Sequence, residues 1–126
     1  GDERTTLLAR KTLTKGPLHC CWSGKKLTEF AVDHVIPWSV WRNNDLWNLL
    51  PCDPKLNMKK NDLLPHPDLI GRRFGAIEES WDRYAVAFPE LFPQQVAAAL
   101  GERTKEALIH AVTRVQLVSG GSYWNG

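Results

Sequence analysis

The sequence predicts an α+β fold in which short strands carry polar residues and helices form most of the remainder. Three observations predict it: a helix signal at the start, an order of strand, loop, strand and short helix across the middle, and helical periodicity after Pro65. With 126 residues, 43% of them hydrophobic and 24% charged, the chain suits one ordered domain. We expect a core over residues 18–65, a helical extension over 66–118 and a tail over 119–126 that is loose unless Tyr123 or Trp124 docks on the core.

The first half of the chain predicts an N-terminal helix followed by short strands. Residues 2–15 are acidic in their first turn and basic in their last, which suits the helix dipole, and a Gly-Pro pair follows them. A Ser-Gly turn then separates two short strands, of which the second covers residues 30–36 and stops at a proline. A tryptophan-rich loop over 37–47 leads into a third strand over 48–52.

Helices are predicted from the end of the third strand onward. Asp53 suits the N-cap position and Pro54 the first position of a short helix with the sequence KLNMKKN. Later, apolar residues recur at three- and four-residue steps, which predicts one long amphipathic helix. These residues are Ile70, Phe74, Ile77, Trp81, Tyr84 and Phe88. A short helix over 93–100 and a final helix over 102–117 follow.

The charge is unevenly distributed between the two halves of the chain. Residues 1–60 hold ten Lys and Arg against six Asp and Glu, and residues 61–126 hold six against eight. A net charge of +4 in the first half allows a polyanionic partner, and a solvated surface of mixed charge is an equal alternative.

The cysteines and the hydropathy bear on the compartment. Cys20, Cys21 and Cys52 cannot all pair with one another, and the sequence has no recognisable signal peptide. No apolar run approaches the roughly 18 residues of a membrane span. We therefore expect reduced thiols, a cytoplasmic location and no membrane association, while further domains of a longer chain stay open as partners.

Polar residues interrupt the strands and the short helix of the middle segment. Asp33 and His34 lie in the second strand, Asn48 opens the third, and Asn57 lies in the helix. His34 and Asn48 are fourteen residues apart, and Asn48 and Asn57 nine. A helix packed across a hairpin can bring Asn57 opposite Asp33, and two oxygen donors suit a hard cation such as Mg²⁺. His34, on the other face of its strand, could then act as a base on a water molecule.

The segments DHVIP, WNLLP and LNMKK together resemble the HNH endonucleases of the ββα-metal, or His-Me finger, class. The resemblance covers residues 20–65, with Asn48, Asn57 and Lys60 at matching spacings. It implies a ββα-metal core with an N-terminal helix and a helical C-terminal extension, so that residues 1–126 would form a single HNH nuclease domain.

The resemblance also implies a role for each motif residue. Asp33 and Asn57 correspond to ligands of a divalent metal ion, for which Mg²⁺ is expected and Mn²⁺ is the alternative. His34 corresponds to the general base that activates water. Asn48 corresponds to the structural residue that ties down the loop and orients His34.

Basic residues near the motif are candidates for contacts with nucleic acid. The resemblance implies that Lys60 faces the phosphate backbone. Lys55 and Lys59 on the same helix, and Arg72 and Arg73 just after the motif, are further candidates, and for the lysines a solvated basic face is an equal alternative.

The cysteines depart from the pattern of many HNH domains, which bind a structural zinc ion through C-x-x-C-G and C-x-x-C-N. Here Cys20 is kept, but Ser23 replaces the second cysteine, and Asp53 and Leu56 replace the other two. One ligand of four is too few for tetrahedral zinc. We therefore expect no structural zinc, with Leu56 and the tryptophans filling the space.

The predicted function is metal-dependent hydrolysis of phosphodiester bonds in DNA, with one strand nicked per site. Duplex DNA is the expected substrate, and RNA stays open. One alternative is a catalytically inactive HNH-fold module that binds DNA, against which the full set of Asp33, His34 and Asn57 argues. Another is a zinc-organised interaction domain, against which the missing cysteines argue.

Overall fold

The computed structural model describes residues 3–126 as a mixture of helices and short strands, which confirms the α+β class. The order is α1 (Glu3–Leu13), β1 (Leu18–His19), β2 (Lys26–Leu27), β3 (Ala31–His34), β4 (Leu49–Cys52), α2 (Pro54–Lys60), β5 (Leu64–Pro65), α3 (Pro67–Ala87), α4 (Leu91–Ala99), α5 (Lys105–Ser119) and β6 (Tyr123–Trp124).

The strands form three separate pairs. β1 and β2 are antiparallel, and so are β3 and β4, whose register sets Asp33 opposite Leu50 and His34 opposite Leu49. β5 and β6 are parallel, and Leu64 lies opposite Tyr123. The β3–β4 pair therefore carries the polar segment, and α2 follows it directly.

Capping residues determine where two of the helices begin. The Asp53 side chain accepts hydrogen bonds from the backbone N–H groups of Lys55 and Leu56 at 2.9 and 3.3 Å, as the predicted N-cap requires. The last helix starts at Lys105 rather than at residue 102, because the Thr104 side chain caps it.

The third strand begins one residue later than predicted. The segment Leu46–Asn48 is a 3₁₀ turn, in which the Asn48 N–H donates to the Asp45 carbonyl at 3.0 Å. The strand therefore starts at Leu49, and Asn48 lies at the junction between turn and strand.

Helix α3 anchors this junction through two buried aromatic side chains. The Trp81 indole donates to the Trp47 carbonyl at 3.0 Å, and the Tyr84 hydroxyl donates to the Leu49 carbonyl at 2.5 Å. Both residues flanking Asn48 are thus fixed by the helical extension.

Among residues 3–126, no helix combines the length and the apolar character needed to cross a membrane.

The segment that the sequence suggested would be loose is partly fixed to the rest of the domain. Tyr123–Trp124 form β6, and the Trp124 ring lies edge-on to Trp22 with centroids 6.4 Å apart. The Arg72 guanidinium donates to the side chain and the main chain of Asn125, both at 3.1 Å. Aromatic packing and strand pairing therefore hold this part of the tail.

Candidate active site

Strand β3 presents Asp33 and His34 on opposite sides, because successive side chains of a strand alternate. The Asp33 side chain is buried, with 5% of the residue exposed, and the His34 side chain is half-buried. Helix α2 packs against β3. The strand thus supplies one carboxylate to the protein interior and one imidazole to a partly open face.

The Asp33 carboxylate is held by two donors. Its Oδ2 accepts a hydrogen bond from the Trp22 indole at 2.7 Å and lies 3.1 Å from the Lys60 ammonium. Burial raises the pKa of the Asp33 carboxyl, and both Lys60 and Trp22 act in the opposite direction. The carboxylate is therefore fixed in position and has a positive charge beside it.

Lys60 differs from the prediction that it faces a phosphate backbone. Its side chain is fully buried, and its ammonium also donates to the His34 carbonyl at 2.7 Å. The reason is helical geometry: Lys60 ends α2 one turn after Asn57, on the side that packs against β3. Its contacts with the Asp33 carboxylate and the His34 carbonyl lie inside the domain, so a direct contact with DNA is not retained for this residue.

The oxygen donors predicted for a metal ion are Asp33 and Asn57. Asn57 is half-buried, and its side chain makes no hydrogen bond to any other residue within 3–126. In the same range, no group of three or more His, Cys, Asp or Glu is arranged to hold a metal ion. A carboxylate and an amide are nevertheless hard donors that fit Mg²⁺, which takes few protein ligands. Such an ion would share Asp33 with the Lys60 ammonium.

Asn48 is fully buried and joins three segments of backbone. Its Oδ1 accepts from the Ile36 N–H at 2.9 Å, and its Nδ2 donates to the carbonyls of Ile36 and Asn43 at 3.2 and 2.9 Å. Its own carbonyl accepts from the Val35 N–H at 2.9 Å. Asn48 therefore ties the end of β3 to the following loop.

The His34 ring is held on the partly open face of β3. Its Nε2 lies 2.7 Å from Oδ1 of Asn44, and the Trp38 ring lies edge-on with centroids 6.0 Å apart.

A groove of about 400 Å³ lies between Val40–Trp41 and α5, and none of the predicted site residues lines it.

The remaining basic candidates are distributed over two helices. Lys55 and Lys59 are exposed, four residues apart on one face of α2. Arg72 is exposed but bonded to the tail, and Arg73 donates through Nε to the Trp22 carbonyl at 3.0 Å. The lysines are thus open to a ligand, while both arginines also have structural contacts.

Sequence reasoning missed two residues of this site, Trp22 and Asn44. Trp22 lies in the turn between β1 and β2 and donates to Asp33, and Asn44 lies in the loop between β3 and β4 and contacts His34. A donor such as an indole was needed near a buried carboxylate. An Asn-Asn pair in a loop was a sign of side-chain bonding, although neither signal identifies the partner.

The Cys20 sulfur is a point of convergence between the β1–β2 turn and the start of α2. It accepts hydrogen bonds from the backbone N–H groups of Trp22, Ser23 and Asp53, at 3.4, 3.4 and 3.3 Å. A hydrogen bond from the Cys52 thiol, together with those from Ser23 and the backbone, outweighs burial and lowers the pKa of Cys20 from 9.0 to about 5. The two segments that carry cysteine pairs in zinc-binding HNH domains thus meet at one thiolate.

We expect the thiolate absorbance of the folded protein to titrate with a midpoint near pH 5, and the Cys52→Ala variant to titrate higher because the thiol donor is lost. Between pH 5 and 9 the unfolded chain keeps a proton that folded Cys20 has released. The stability contributed by Cys20 is therefore full above pH 9 and disappears as the pH falls through 5. Ultraviolet absorbance against pH measures the midpoint, and a flat trace from about pH 4 to 7 would contradict the assignment.

Comparison with known proteins identifies the segment that contains these residues. The model of a family described as HNH endonuclease matches residues 20–66. No curated protein and no solved structure matches the chain. The matched segment includes β3, β4 and α2, and it contains the four motif positions Asp33, His34, Asn48 and Asn57. Residues 20–66 are therefore similar to the HNH endonuclease family, and this similarity covers less than half of the chain.

Proposed function

We propose that this chain is a metal-dependent endonuclease that hydrolyses phosphodiester bonds in DNA and nicks one strand per site. The observation that carries the proposal is that Asp33 and His34 on β3, and Asn48 just before β4, belong to a paired strand-strand-helix unit within the segment that matches the family. We take this strand-strand-helix unit to be the ββα-metal core. The similarity of residues 20–66 to HNH endonucleases supports the nuclease character, and the following steps explain how the residues would act.

His34 is the general base of the proposed reaction. Its imidazole accepts a proton from a water molecule, the water oxygen attacks the phosphorus, and the P–O3′ bond breaks. Solvent returns a proton to the leaving 3′ oxygen. The strand position of His34, on a partly open face opposite the buried Asp33, gives the ring access to water and substrate while its backbone stays fixed.

Asp33 and Asn57 are the proposed ligands of the metal ion, with Mg²⁺ first and Mn²⁺ as the alternative. When bound, the ion supplies neutralising charge for the phosphate oxygens. The protein contributes a carboxylate held in place by Trp22 and an amide with no other partner among the described residues. Lys60 keeps the Asp33 charge compensated within the domain.

DNA is the proposed substrate, and the proposed contacts to its backbone are Lys55, Lys59, Arg72 and Arg73. The two lysines are exposed and adjacent on α2, the helix that also carries Asn57. Contacts of this kind release counterions, so binding should weaken as salt rises. A duplex with a single-stranded RNA of the same sequence as competitor distinguishes DNA from RNA.

A second candidate function is a DNA-binding module without catalytic activity. The specific observation in its favour is the ion pair between Lys60 and Asp33 at 3.1 Å, which already supplies a cation to the proposed metal ligand. A protein of this kind would bind DNA with the same lysines but would bind no divalent ion at Asp33.

Nicking of supercoiled plasmid decides between the two functions. With Mg²⁺ or Mn²⁺ we expect conversion to the open circle, and excess EDTA should abolish it because Asp33 and Asn57 would lose their ion. Linear product should appear only after the open circle, since one site cuts one strand at a time. If the protein binds the plasmid but does not nick it with either metal, the result would favour the binding module. Nicking that EDTA does not affect would contradict the metal requirement.

A further inference from the structure

We propose that Asn44, which lies outside the motif, is the positioning residue of the base: it holds the His34 proton on Nε2 and so leaves Nδ1 as the proton-accepting nitrogen. The base role rests on the proposed function, whereas the placement of the proton rests on the structure alone. Asn44 acts through His34 and touches no reacting atom in this scheme.

The assignment of the proton follows from the chemistry of the contact. The His34 Nε2 atom lies 2.7 Å from Oδ1 of Asn44. An amide oxygen has no hydrogen to donate, so the imidazole must donate, and Nε2 must carry the proton. In a neutral ring the other nitrogen, Nδ1, then has a free lone pair.

The loop that carries Asn44 is fixed on both sides of this contact. On one side, the Asn48 side chain donates to the Asn43 carbonyl at 2.9 Å. On the other, the Asp45 N–H donates to Oδ1 of Asn43 at 2.7 Å, and the Asp45 carboxylate accepts from the Trp47 indole at 2.9 Å. Asn44 is therefore presented to His34 by a loop with little freedom to move.

This network gives the motif residue Asn48 a route to His34. Asn48 does not bond to the imidazole; it bonds to Ile36 and to the Asn43 carbonyl. Its orienting effect on His34 thus passes through Asn44, the residue that follows Asn43 in the chain. The Trp38 ring, edge-on to the imidazole, limits rotation of the ring from another direction.

The test compares Asn44→Ala and Asn44→Asp with the wild-type chain by two measurements. The first is the ¹⁵N chemical shifts of the His34 ring at a pH where those shifts show it to be neutral. We expect a protonated Nε2 in the wild type, a mixture of both tautomers in Asn44→Ala, and the wild-type tautomer in Asn44→Asp, which keeps an accepting oxygen. Ser39→Ala, an exposed position in the same loop, is the matched control and should leave the tautomer unchanged.

The second measurement is the kinetics of nicking. We expect Asn44→Ala to lower kcat about 10–100-fold with KM unchanged, the size of effect known for residues that orient metal-binding histidines, and Asn44→Asp to recover most of the rate. A protonated Nδ1 in the wild type, or an unchanged tautomer in Asn44→Ala, would overturn the proposal. If the wild type does not nick DNA but its ring shifts follow the expected pattern, the placement of the proton stands and the nuclease function fails. If Asn44→Ala does not fold, Asn44→Asp and Asn44→Gln in the same two measurements decide.

Discussion

Replacing His34 by alanine is expected to lower the rate of plasmid nicking by about 10²–10⁴-fold, the range that a general base contributes. The imidazole is the group that would take the proton of the attacking water, and alanine can accept none. The fold should survive, because the side chain is only half-buried and its contacts are with Asn44 and Trp38 at the edge of the loop.

The measurement is the single-turnover rate of nicking in Mg²⁺, with a thermal melt of each protein to show that it is folded. Ser39→Ala serves as the control, since that residue is exposed and lies five positions along the same segment. DNA affinity of the His34→Ala protein, measured by fluorescence anisotropy, should stay near that of the wild type. A His34→Ala protein that nicks at the wild-type rate would show that His34 is not the base.

The second large effect concerns stability. Lys60→Met is expected to lower the free energy of unfolding by about 3–5 kcal/mol, the cost of removing one partner from a buried ion pair. Both side chains are almost completely shielded from solvent, at 0% and 6% exposure, so water cannot replace the lost ammonium. The His34 carbonyl also loses its donor.

Urea denaturation at neutral pH measures this difference, with equal slopes of the transitions as a check that the two proteins unfold alike. Lys59→Met is the matched control, because Lys59 is the exposed neighbour on α2 and should change stability by no more than about 0.5 kcal/mol. The double variant Asp33→Asn, Lys60→Met should recover much of the loss, since it removes the unpaired charge as well. A Lys60→Met protein as stable as Lys59→Met would refute the buried pair.

The sequence predicted the parts of the site that lie in local structure. A polar pair in a strand and an N-cap of Asp53 before Pro54 both depend on neighbours within a few residues. The family resemblance then related these separate segments to one another, and the match of residues 20–66 supports that relation.

The residues that the sequence misjudged depend on contacts between distant segments. Lys60 faces β3 because of how α2 packs against that strand. The three-residue spacing from Asn57 indicates that both residues share one face of the helix, but not which element that face contacts. Trp22 lies in the turn between β1 and β2, eleven residues before its partner Asp33, so the contact depends on how that turn packs against β3. Asn44 reaches His34 because the loop is tied by Asn48, a contact that no periodicity expresses.

The parallel pairing of β5 with β6 has a consequence for the order in which the domain can be made. Its partners, Leu64 and Tyr123, are about sixty residues apart, so closing this pair is a slow, non-local step. A ribosome releases every motif residue, from Asp33 to Asn57, well before Tyr123. The hydrogen bonds from Trp81 and Tyr84 to the residues on either side of Asn48 also require α3, which is synthesised after the motif. During synthesis the motif residues would therefore be present before the helix and strand that support them, and the proposed cleavage activity should arise only late in synthesis.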